Sequence, residues 1–431
     1  MDGRSQNVRH ALWLSVGSGI LWALAFHTGR RLMYQLAYVV SALFVLTFVL
    51  AWLQLRWLSL SRSPRVRRLY VGQLLEERLA LHNHGLFPKF WLEVQDFSTF
   101  PLHRVSRVIV GLRGRRVFRW QVRTLAMMRG VYRLGPARLV SSDPFGLFTF
   151  ARDVPEQVSI LVYPPVFPPA DFPLPEGRLS GGAVLRRRAY VMTTNVAGVR
   201  EYQPGDPHSW IHWPTTARVG RLMSREFEMD PYADVWCVLD MYADAYTGST
   251  WDEEVLASGV GIFQVGRGLP LLPPHSGEYA ISAAASVAHY VLDHQRLFGL
   301  VTYDDERVVL YPDRGERHKH RILETLALLS IRGRVPLQQV LTLEMGLFPR
   351  QSTLVIITGD WTPGWVWGVA ELRRRGVFPV VVLVDNATFG PLPSAEQVLP
   401  HLARHQIPAF ILKRGTEIRW RRYQVARPGH G

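Results

Sequence analysis

The stretch VWCVLD, residues 235–240, decides the fold of the C-terminal half of the chain. Its five consecutive apolar residues are typical of a strand buried on both faces, as in a parallel sheet. Asp240 follows at the carboxyl end of that strand, where ligands of open α/β sheets bind. Cys237, the lone cysteine, lies inside the apolar run, so we expect a small buried hydrophobe and no disulfide within the chain.

Strands and helices are expected to alternate downstream of this run. Repeated alternation implies a mostly parallel sheet with helices on both faces. Ser394 and Gln397 have the spacing of a capping box at a helix start. The expected strands are 297–303, 354–358, 377–384 and 407–412, and the expected helices are 278–295, 316–330, 364–375 and 395–404.

Upstream of residue 164, the sequence changes to short runs that alternate apolar and polar side chains. Turn signals such as Asp143-Pro144 separate the runs. This pattern predicts a β-sandwich with one solvated face on each sheet. The expected strands are 76–83, 90–96, 105–112, 116–124, 131–140 and 158–163.

Two apolar runs at the N-terminus, about 11–27 and 32–55, contain no Asp, Glu, Lys or Arg. Each is close to or above the ~20 residues that cross the hydrocarbon core of a bilayer. A cleaved signal peptide is the competing interpretation of the first run, but no small-residue cleavage site follows it and a second apolar run does. We therefore expect a multi-pass protein of the cell inner (cytoplasmic) membrane.

The arginines around these two runs predict the topology. Two arginines, Arg30 and Arg31, lie in the link, whereas seven lie on the other side of the two runs: Arg4, Arg9, Arg56, Arg62, Arg65, Arg67 and Arg68. The positive-inside rule then places both termini and the soluble domains in the cytoplasm.

The formal net charge of +15 is almost entirely due to arginine, because Lys89, Lys319 and Lys413 are the only lysines. A nucleic-acid interface requires basic residues interleaved with aromatics on one element, and no such stripe is visible. We therefore interpret the charge as solvated surface and expect no nucleic-acid partner.

Known catalytic motifs are missing from the soluble region. No lysine follows a glycine, so there is no Walker motif, and neither an HExxH helix nor a Gly-x-Ser-x-Gly elbow occurs there. We assign no catalytic residue. Asp240 and Asp360 each end an expected strand and could hold Mg²⁺ through oxygen ligands, the alternative being that each caps the following helix.

The segment REYQPGDPHSWIHWPTTAR, residues 200–218, resembles the signature of the bacterial family called domain of unknown function 58. That signature has an Arg-x-Tyr-x-Pro-Gly-Asp core followed by Ile-x-Trp and Ala-Arg. The stretch RGVYRLGPARLVSSDPFGLF, residues 129–148, resembles two further elements of the family. The matching signature residues are Arg200, Tyr202, Pro204, Gly205, Asp206, Ile211, Trp213, Ala217 and Arg218.

The resemblance implies a von Willebrand factor A-like domain behind a β-sandwich. It also implies association with MoxR-type AAA+ ATPases and sometimes with transglutaminase-like membrane proteins. Metal-binding A domains end their first strand in Asp-x-Ser-x-Ser, whereas residues 240–244 here read DMYAD. A site at Asp240, Asp244 and Asp360 would therefore be degenerate, and we expect no cofactor unless Mg²⁺ binds there.

These expectations divide the chain into a transmembrane hairpin (1–60), a β-sandwich (61–165), a linker with the signature segment (166–232) and an A-like α/β domain (233–431). The stretch 246–274 is long for a βα loop, so we expect it to cover the ligand face or to bind a partner. For the signature segment we expect packing across the edge of the α/β domain, with Trp213 buried and Arg200 and Arg218 paired with acidic groups such as Asp206.

The expected function is a membrane-anchored, non-enzymatic adaptor whose A-like domain docks a cytoplasmic AAA+ ATPase. A structural role and a partner-binding role of the signature segment are both open. The alternative function is a metal-dependent membrane enzyme that acts in the cell envelope through Asp240 and Asp360.

Overall fold

The chain begins with two antiparallel helices, α1 (Asp2–Thr28) and α2 (Arg31–Gln54). The computed structural model describes residues 2–167, 196–203, 208–227, 234–252, 255–256, 258, 272–415 and 421–422. Ala25 and Ala37 are buried, and the Trp22 indole N–H donates to the Ser41 hydroxyl (3.0 Å) across the pair. Within the described residues, α2 is the one helix long and apolar enough to cross a membrane. An N-terminal membrane helix is therefore supported.

The sandwich follows directly after α2. A three-stranded sheet of order β1-β3-β6 packs on a four-stranded sheet of order β5-β4-β8-β9, and alternate side chains of both sheets form the core. The strands are β1 (Leu58–Pro64), β2 (Arg68–Tyr70), β3 (Leu74–Asn83), β4 (Lys89–Asp96), β5 (Arg107–Leu112), β6 (Val117–Leu125), β7 (Gly130–Leu134), β8 (Ala137–Ser142), β9 (Thr149–Val154) and β10 (Val158–Tyr163).

The expected strand 131–140 is wrong, because the chain changes sheets at Gly135-Pro136. β7 pairs with β10, whereas β8 pairs with β4 and β9. Proline has no N–H to contribute to a ladder, which favours a break at this point. The runs that form β1, β2 and β9 were also absent from the expected strands.

A third small sheet, β2-β10-β7, joins the sandwich to the C-terminal half. Strand β10 has two buried faces. Ile160 and Val162 contribute to a core between this sheet and the sandwich, whereas Leu161 and Tyr163 enter the core of the α/β unit. The two units therefore share a strand and are packed together.

The α/β unit contains a seven-stranded sheet of order β15-β14-β13-β16-β17-β18-β19, in which β15 and β19 at the edges are antiparallel and the rest are parallel. Its strands are β13 (Val235–Leu239), β14 (Phe298–Tyr303), β15 (Arg307–Asp313), β16 (Thr353–Thr358), β17 (Phe378–Val384), β18 (Ala409–Leu412) and β19 (Arg421–Arg422). A mostly parallel sheet was expected, but the antiparallel strand β15 was not.

Helices cover both faces of this sheet. Two pack on the face that carries Val235, Cys237 and Leu239, and three pack on the face that carries Trp236 and Val238. The first pair is α4 (Ser276–Asp293) and α5 (Glu316–Leu328), and the others are α6 (Leu337–Leu343), α7 (Val366–Arg374) and α8 (Leu399–Arg404). The expected helix 395–404 begins as a 3₁₀ turn over Ala395–Val398, where the Ser394 hydroxyl accepts a hydrogen bond from Glu396 N (3.2 Å).

The C-terminal third of α2 is packed on the sandwich. The buried Lys89 side chain donates from Nζ to the Leu53 carbonyl (2.6 Å), and Phe90 N donates to Gln54 Oε1 (3.0 Å). A lysine at the last carbonyls of a helix satisfies them and complements the helix dipole. Burial lowers the pKa of Lys89. The C-terminal end of α2 is thus held on the sandwich at the start of β4.

Candidate functional site

Asp240 lies at the carboxyl end of β13, next to the parallel strand β16. Its side chain is buried, and both carboxylate oxygens accept hydrogen bonds, Oδ1 from Tyr242 N (2.9 Å) and Oδ2 from the Thr358 hydroxyl (2.7 Å). The Thr358 hydroxyl oxygen also accepts from Asp360 N (2.9 Å). The structure therefore places Asp240 and Asp360 at the same edge of the sheet, linked through Thr358.

The surroundings of the Asp240 carboxyl group shift its pKa upward. Burial removes water from its charged form and raises its pKa from 3.8 to about 7, and repulsion from Asp360 adds to the rise. The hydrogen bonds from Thr358 and Tyr242 act in the opposite direction and lower this pKa. The buried Tyr246 hydroxyl donates to the Asp240 carbonyl (2.7 Å), so polar groups near Asp240 are tied to one another.

The other two predicted ligands, Asp360 and Asp244, also accept hydrogen bonds locally. Asp360 Oδ1 accepts from the backbone and hydroxyl of Thr362 (2.8 Å each) and closes a turn. It does not cap α7, because the N-cap of that helix is Trp365. Asp244 Oδ2 accepts from the Tyr242 hydroxyl (2.8 Å), which joins the two residues that stand where metal-binding A domains have serines.

These residues fit a hydrogen-bonded turn better than a magnesium site. A metal at Asp240 would have to displace the Tyr242 and Thr358 donors, and a carboxyl group with a raised pKa must first lose its proton. Over the residues that the structure describes, no three His, Cys, Asp or Glu side chains are grouped to hold a metal.

Sequence reasoning missed Asn386, which also lies at this edge. Its side-chain N–H groups donate to the carbonyls of Gly359 (2.7 Å) and Ala245 (3.0 Å), which ties together the segments after β13, β16 and β17. Gly359 is needed there because a Cβ would lie 2.4 Å from the Ala245 carbonyl oxygen. The signal was present, since Asp385-Asn386 follows an apolar strand as Asp240 does.

The described residues of the insertion 246–274 connect the sheet edge to the sandwich. Thr247 N donates to the Ser276 hydroxyl (2.9 Å), which holds the start of the insertion on α4. Farther along, the buried Trp251 and Leu256 pack in the core beneath the third small sheet, with Leu69 and Ile160. These contacts indicate that the described part of the insertion joins the α/β unit to the sandwich. The expected cover over the ligand face would involve stretches that lie outside the described residues.

The signature segment folds as a small unit of its own. Strands β11 (Val196–Glu201) and β12 (Met223–Phe227) form an antiparallel pair, and helix α3 (Trp213–Val219) lies between them in the chain. His212 N donates to the Met223 carbonyl (2.8 Å), and the Thr216 hydroxyl accepts from Met223 N (3.0 Å). Ile211 is buried in this unit, which we call the signature unit.

The expectation that Trp213 is buried is wrong, because 64% of its surface is exposed. Ile211, two residues earlier, takes the buried position. Arg218 is also exposed, in the last turn of α3. Arg200 donates to the Glu201 carbonyl (3.0 Å), and Tyr202 N donates to the Leu222 carbonyl (2.9 Å). Pro204, Gly205 and Asp206 lie outside the described residues, so the expected pairing with Asp206 stays a prediction.

Arg129, from the upstream motif, crosses between the two large units. Its buried guanidinium forms an ion pair with Glu278 of α4 and donates from Nε to the Leu326 carbonyl (3.2 Å) near the end of α5. The Leu329 carbonyl accepts a further hydrogen bond from it. Tyr132 supports this joint, since its hydroxyl donates to the Met128 carbonyl (3.1 Å). The Tyr132 side chain is largely buried, and burial raises its pKa to about 12.

Comparison with known proteins bears on the signature unit and on the whole chain. The model of the family described as "Protein of unknown function DUF58" matches residues 198–257, which include most of the signature unit, Asp240 and part of the insertion. The uncharacterized protein YeaD of Bacillus subtilis (strain 168) is 23% identical over 413 residues, which are 93% of this chain and 94% of that protein. The family model and this relative together support a DUF58 assignment. The alignment with the relative extends over nearly the whole of both chains.

Solved structures add little to the DUF58 assignment. A CARDB domain of the PF1109 protein from Pyrococcus furiosus, crystallised with di-metal ions, is 12% identical, covers 24% of this chain and 91% of that chain, and has a TM-score of 0.20. Proximal thread matrix protein 1 from mussel byssus is 12% identical, covers 38% and 41% of the two chains and has a TM-score of 0.24.

Proposed function

We propose that this DUF58 protein is a membrane-anchored, non-enzymatic adaptor. Helices α1 and α2 act as a two-span tether, the arginine distribution favours cytoplasmic soluble domains, and the α/β unit acts as a von Willebrand factor A-like domain. The partner we propose is a MoxR-type AAA+ ATPase, with a transglutaminase-like membrane protein as a further candidate. The family resemblance suggests both partners.

The sheet of the α/β unit supports the A-like assignment. Parallel strands lie on both sides of β13, an antiparallel strand closes each edge of the sheet, and helices cover both faces. The carboxyl edge carries exposed Asp244 together with Asp305 and Glu306 of the β14–β15 turn. Exposed Arg332 and Arg334 flank Gly333, which pairs with Tyr242 at the same edge, so this edge carries charges of both signs.

The exposed Trp213 is the observation that carries the adaptor proposal. Buried tryptophans contribute to a core, but this one is solvent-exposed, as is Arg218 on the same helix, and the signature unit contains no catalytic arrangement among its described residues. Trp and Arg are the residue types that most often dominate binding energy at protein interfaces. Val219 and Leu222 are exposed on the same unit and extend its apolar surface.

Replacing Trp213 by alanine is therefore expected to weaken binding of the purified MoxR-type ATPase of the source organism at least about tenfold, since buried interface tryptophans typically contribute 2 kcal/mol or more. Binding would be measured by surface plasmon resonance with the detergent-solubilised full chain. Trp367→Ala is the matched control, because Trp367 on α7 is similarly exposed (67%) but lies outside the signature unit. A Trp213→Ala variant that binds the ATPase as tightly as the wild type would contradict a binding role of Trp213.

The alternative of a metal-dependent membrane enzyme draws on Asp240 and Asp360. Their shared position at the carboxyl edge of a parallel sheet favours it. The hydrogen bonds that already occupy both oxygens of Asp240 count against it. We therefore keep the adaptor as the conclusion.

A further inference from the structure

Three turns of the sandwich lie at the end where α2 enters it. Strand β1 begins there, and its first residue Leu58 pairs with Asn83 at the end of β3. Likewise, His82 pairs with Val117 at the start of β6, and Lys89 pairs with Leu112 at the end of β5. The end of β8 lies there too, because β8 runs antiparallel to β4. The turns 83–88, 113–116 and 143–148 therefore share this end with the α2–β1 junction. We call the three turns the α2-end surface.

We propose that the α2-end surface sits in the interfacial layer of an anionic bilayer and binds phospholipid headgroups. The proposal rests on the tether half of the proposed function, because α2 must be in the membrane, and it does not depend on the ATPase partner. Four observations support it.

The first observation is the position of the turn 143–148 along α2. Phe148 packs against Phe44 and Phe48, with ring centroids 5.0 and 5.3 Å apart. At 1.5 Å per residue, Phe44 lies roughly 15 Å along the helix from Gln54, where the sandwich holds the helix end. A helix of 24 residues is about 36 Å long, little more than the ~30 Å hydrocarbon core. If α2 spans the bilayer, the turn lies beside lipid.

The second observation is that this turn satisfies its own backbone. The buried Asp143 carboxylate accepts from Phe145 N (2.9 Å) and Phe148 N (2.6 Å), and Gly146 N donates to the Asp143 carbonyl (3.1 Å). Pro144 has no N–H, and Gly146 adopts the positive φ (+70°) that the turn requires. Unpaired backbone groups are costly next to lipid, so a turn with few free donors suits that environment.

The third observation is the exposed apolar surface of the turns. Phe145 is 65% exposed, and Leu86 and Phe87 of the turn 83–88 are 69% and 55% exposed. Trp57 at the α2–β1 junction is exposed as well. Aromatic and aliphatic side chains of this kind lie at the headgroup–acyl boundary of membranes.

The fourth observation is a cluster of basic side chains beside the apolar ones. Arg113, Arg115 and Arg116 are exposed and form no ion pair with a carboxylate of the described residues. An open cleft of about 280 Å³ contains Arg115 and Arg116 together with stacked His82 and His84. The guanidinium fork matches phosphate oxygens, so the cleft suits a phospholipid phosphate.

The test places an environment-sensitive label on Leu86→Cys in the full chain, held in nanodiscs whose lipids carry a nitroxide quencher. Cys237 is buried, and burial raises the pKa of its thiol, so it should not react with the label. The matched control is Phe97→Cys, an exposed position (52%) at the opposite end of the same strands. Co-elution of chain and nanodisc reports the tether separately from the labels.

We expect roughly threefold more quenching at position 86 than at position 97, and a further increase when about one third of the lipid is phosphatidylglycerol. The double variant Arg115→Glu/Arg116→Glu should abolish the phosphatidylglycerol increase, whereas Arg104→Glu/Arg133→Glu at the opposite end should retain it. Equal quenching at both positions, or an increase that persists in the Arg115→Glu/Arg116→Glu variant, would overturn the proposal.

Discussion

Replacing Arg129 by alanine is expected to lower the free energy of unfolding by about 3 kcal/mol, because removal of one partner from a buried ion pair leaves the other charge uncompensated. The unpaired group would be Glu278, and the carbonyls of Leu326 and Leu329 would lose their donor. Since these contacts join the sandwich to the α/β unit, we also expect the two units to unfold in separate transitions.

Calorimetry of the full chain in detergent micelles would measure this effect. Arg133→Ala is the control, because Arg133 is an exposed arginine on β7, the strand that begins directly after Arg129. Surface substitutions of that kind usually change stability by less than about 0.5 kcal/mol. An Arg129→Ala protein that melts in the same way as Arg133→Ala would show that the joint does not depend on this residue.

Replacing Asp240 by asparagine is expected to change how stability depends on pH. The pKa of Asp240 is about 7 in the folded protein, against 3.8 for an exposed carboxyl group. Between these values the folded state binds a proton that the unfolded state does not, so this carboxyl group stabilises the fold at low pH and less as the pH rises to 7. The stability difference between wild type and Asp240→Asn should therefore fall by about 3 kcal/mol from pH 5 to pH 8.

Urea denaturation at both pH values would measure this difference. Asp305→Asn is the matched control, since it removes an exposed carboxylate from the β14–β15 turn at the same sheet edge. A stability difference that stays constant with pH would contradict the buried, protonated Asp240. Repeating the measurement with millimolar Mg²⁺ tests the enzyme alternative, which predicts that the metal stabilises the wild type at pH 8 but not Asp240→Asn.

The pattern of apolar residues was sufficient to predict a strand where that strand is buried on both faces. The runs that form β13, β16 and β17 have apolar residues on both faces, so their type and position could be predicted. Strand β15 was missed because only Leu310 in it is buried, and it lies at an edge. The change of sheet at Gly135-Pro136 was missed because both strands that flank it alternate regularly.

The site was only partly predictable for a different reason. Asp240 and Asp360 were found from their positions after strands, and Asn386 has the same signal. Local sequence could not predict that Trp213 would be exposed, because the same apolar residue suits a core or an interface. Nor could local sequence predict the partners of Arg129, since Glu278 and Leu326 are far away in sequence.

The three lysines make specific contacts that the composition of the chain does not predict. In a chain whose basic residues are nearly all arginine, each lysine makes a defined interaction. Lys89 holds the end of α2, Lys319 pairs with Asp293 (2.7 Å), and Lys413 pairs with Glu396 (2.8 Å). Lys89 and Lys319 thus hold particular junctions, as the buried Arg129 does.

The central claim is that a membrane-held chain presents the signature unit to an AAA+ ATPase. The most direct measurement is affinity purification of the full chain from solubilised native membranes, followed by identification and quantification of the bound proteins. The account predicts that a MoxR-type ATPase co-purifies with the wild type and with Trp367→Ala but is lost from Trp213→Ala. A wild-type preparation that reproducibly contains no AAA+ ATPase would contradict it.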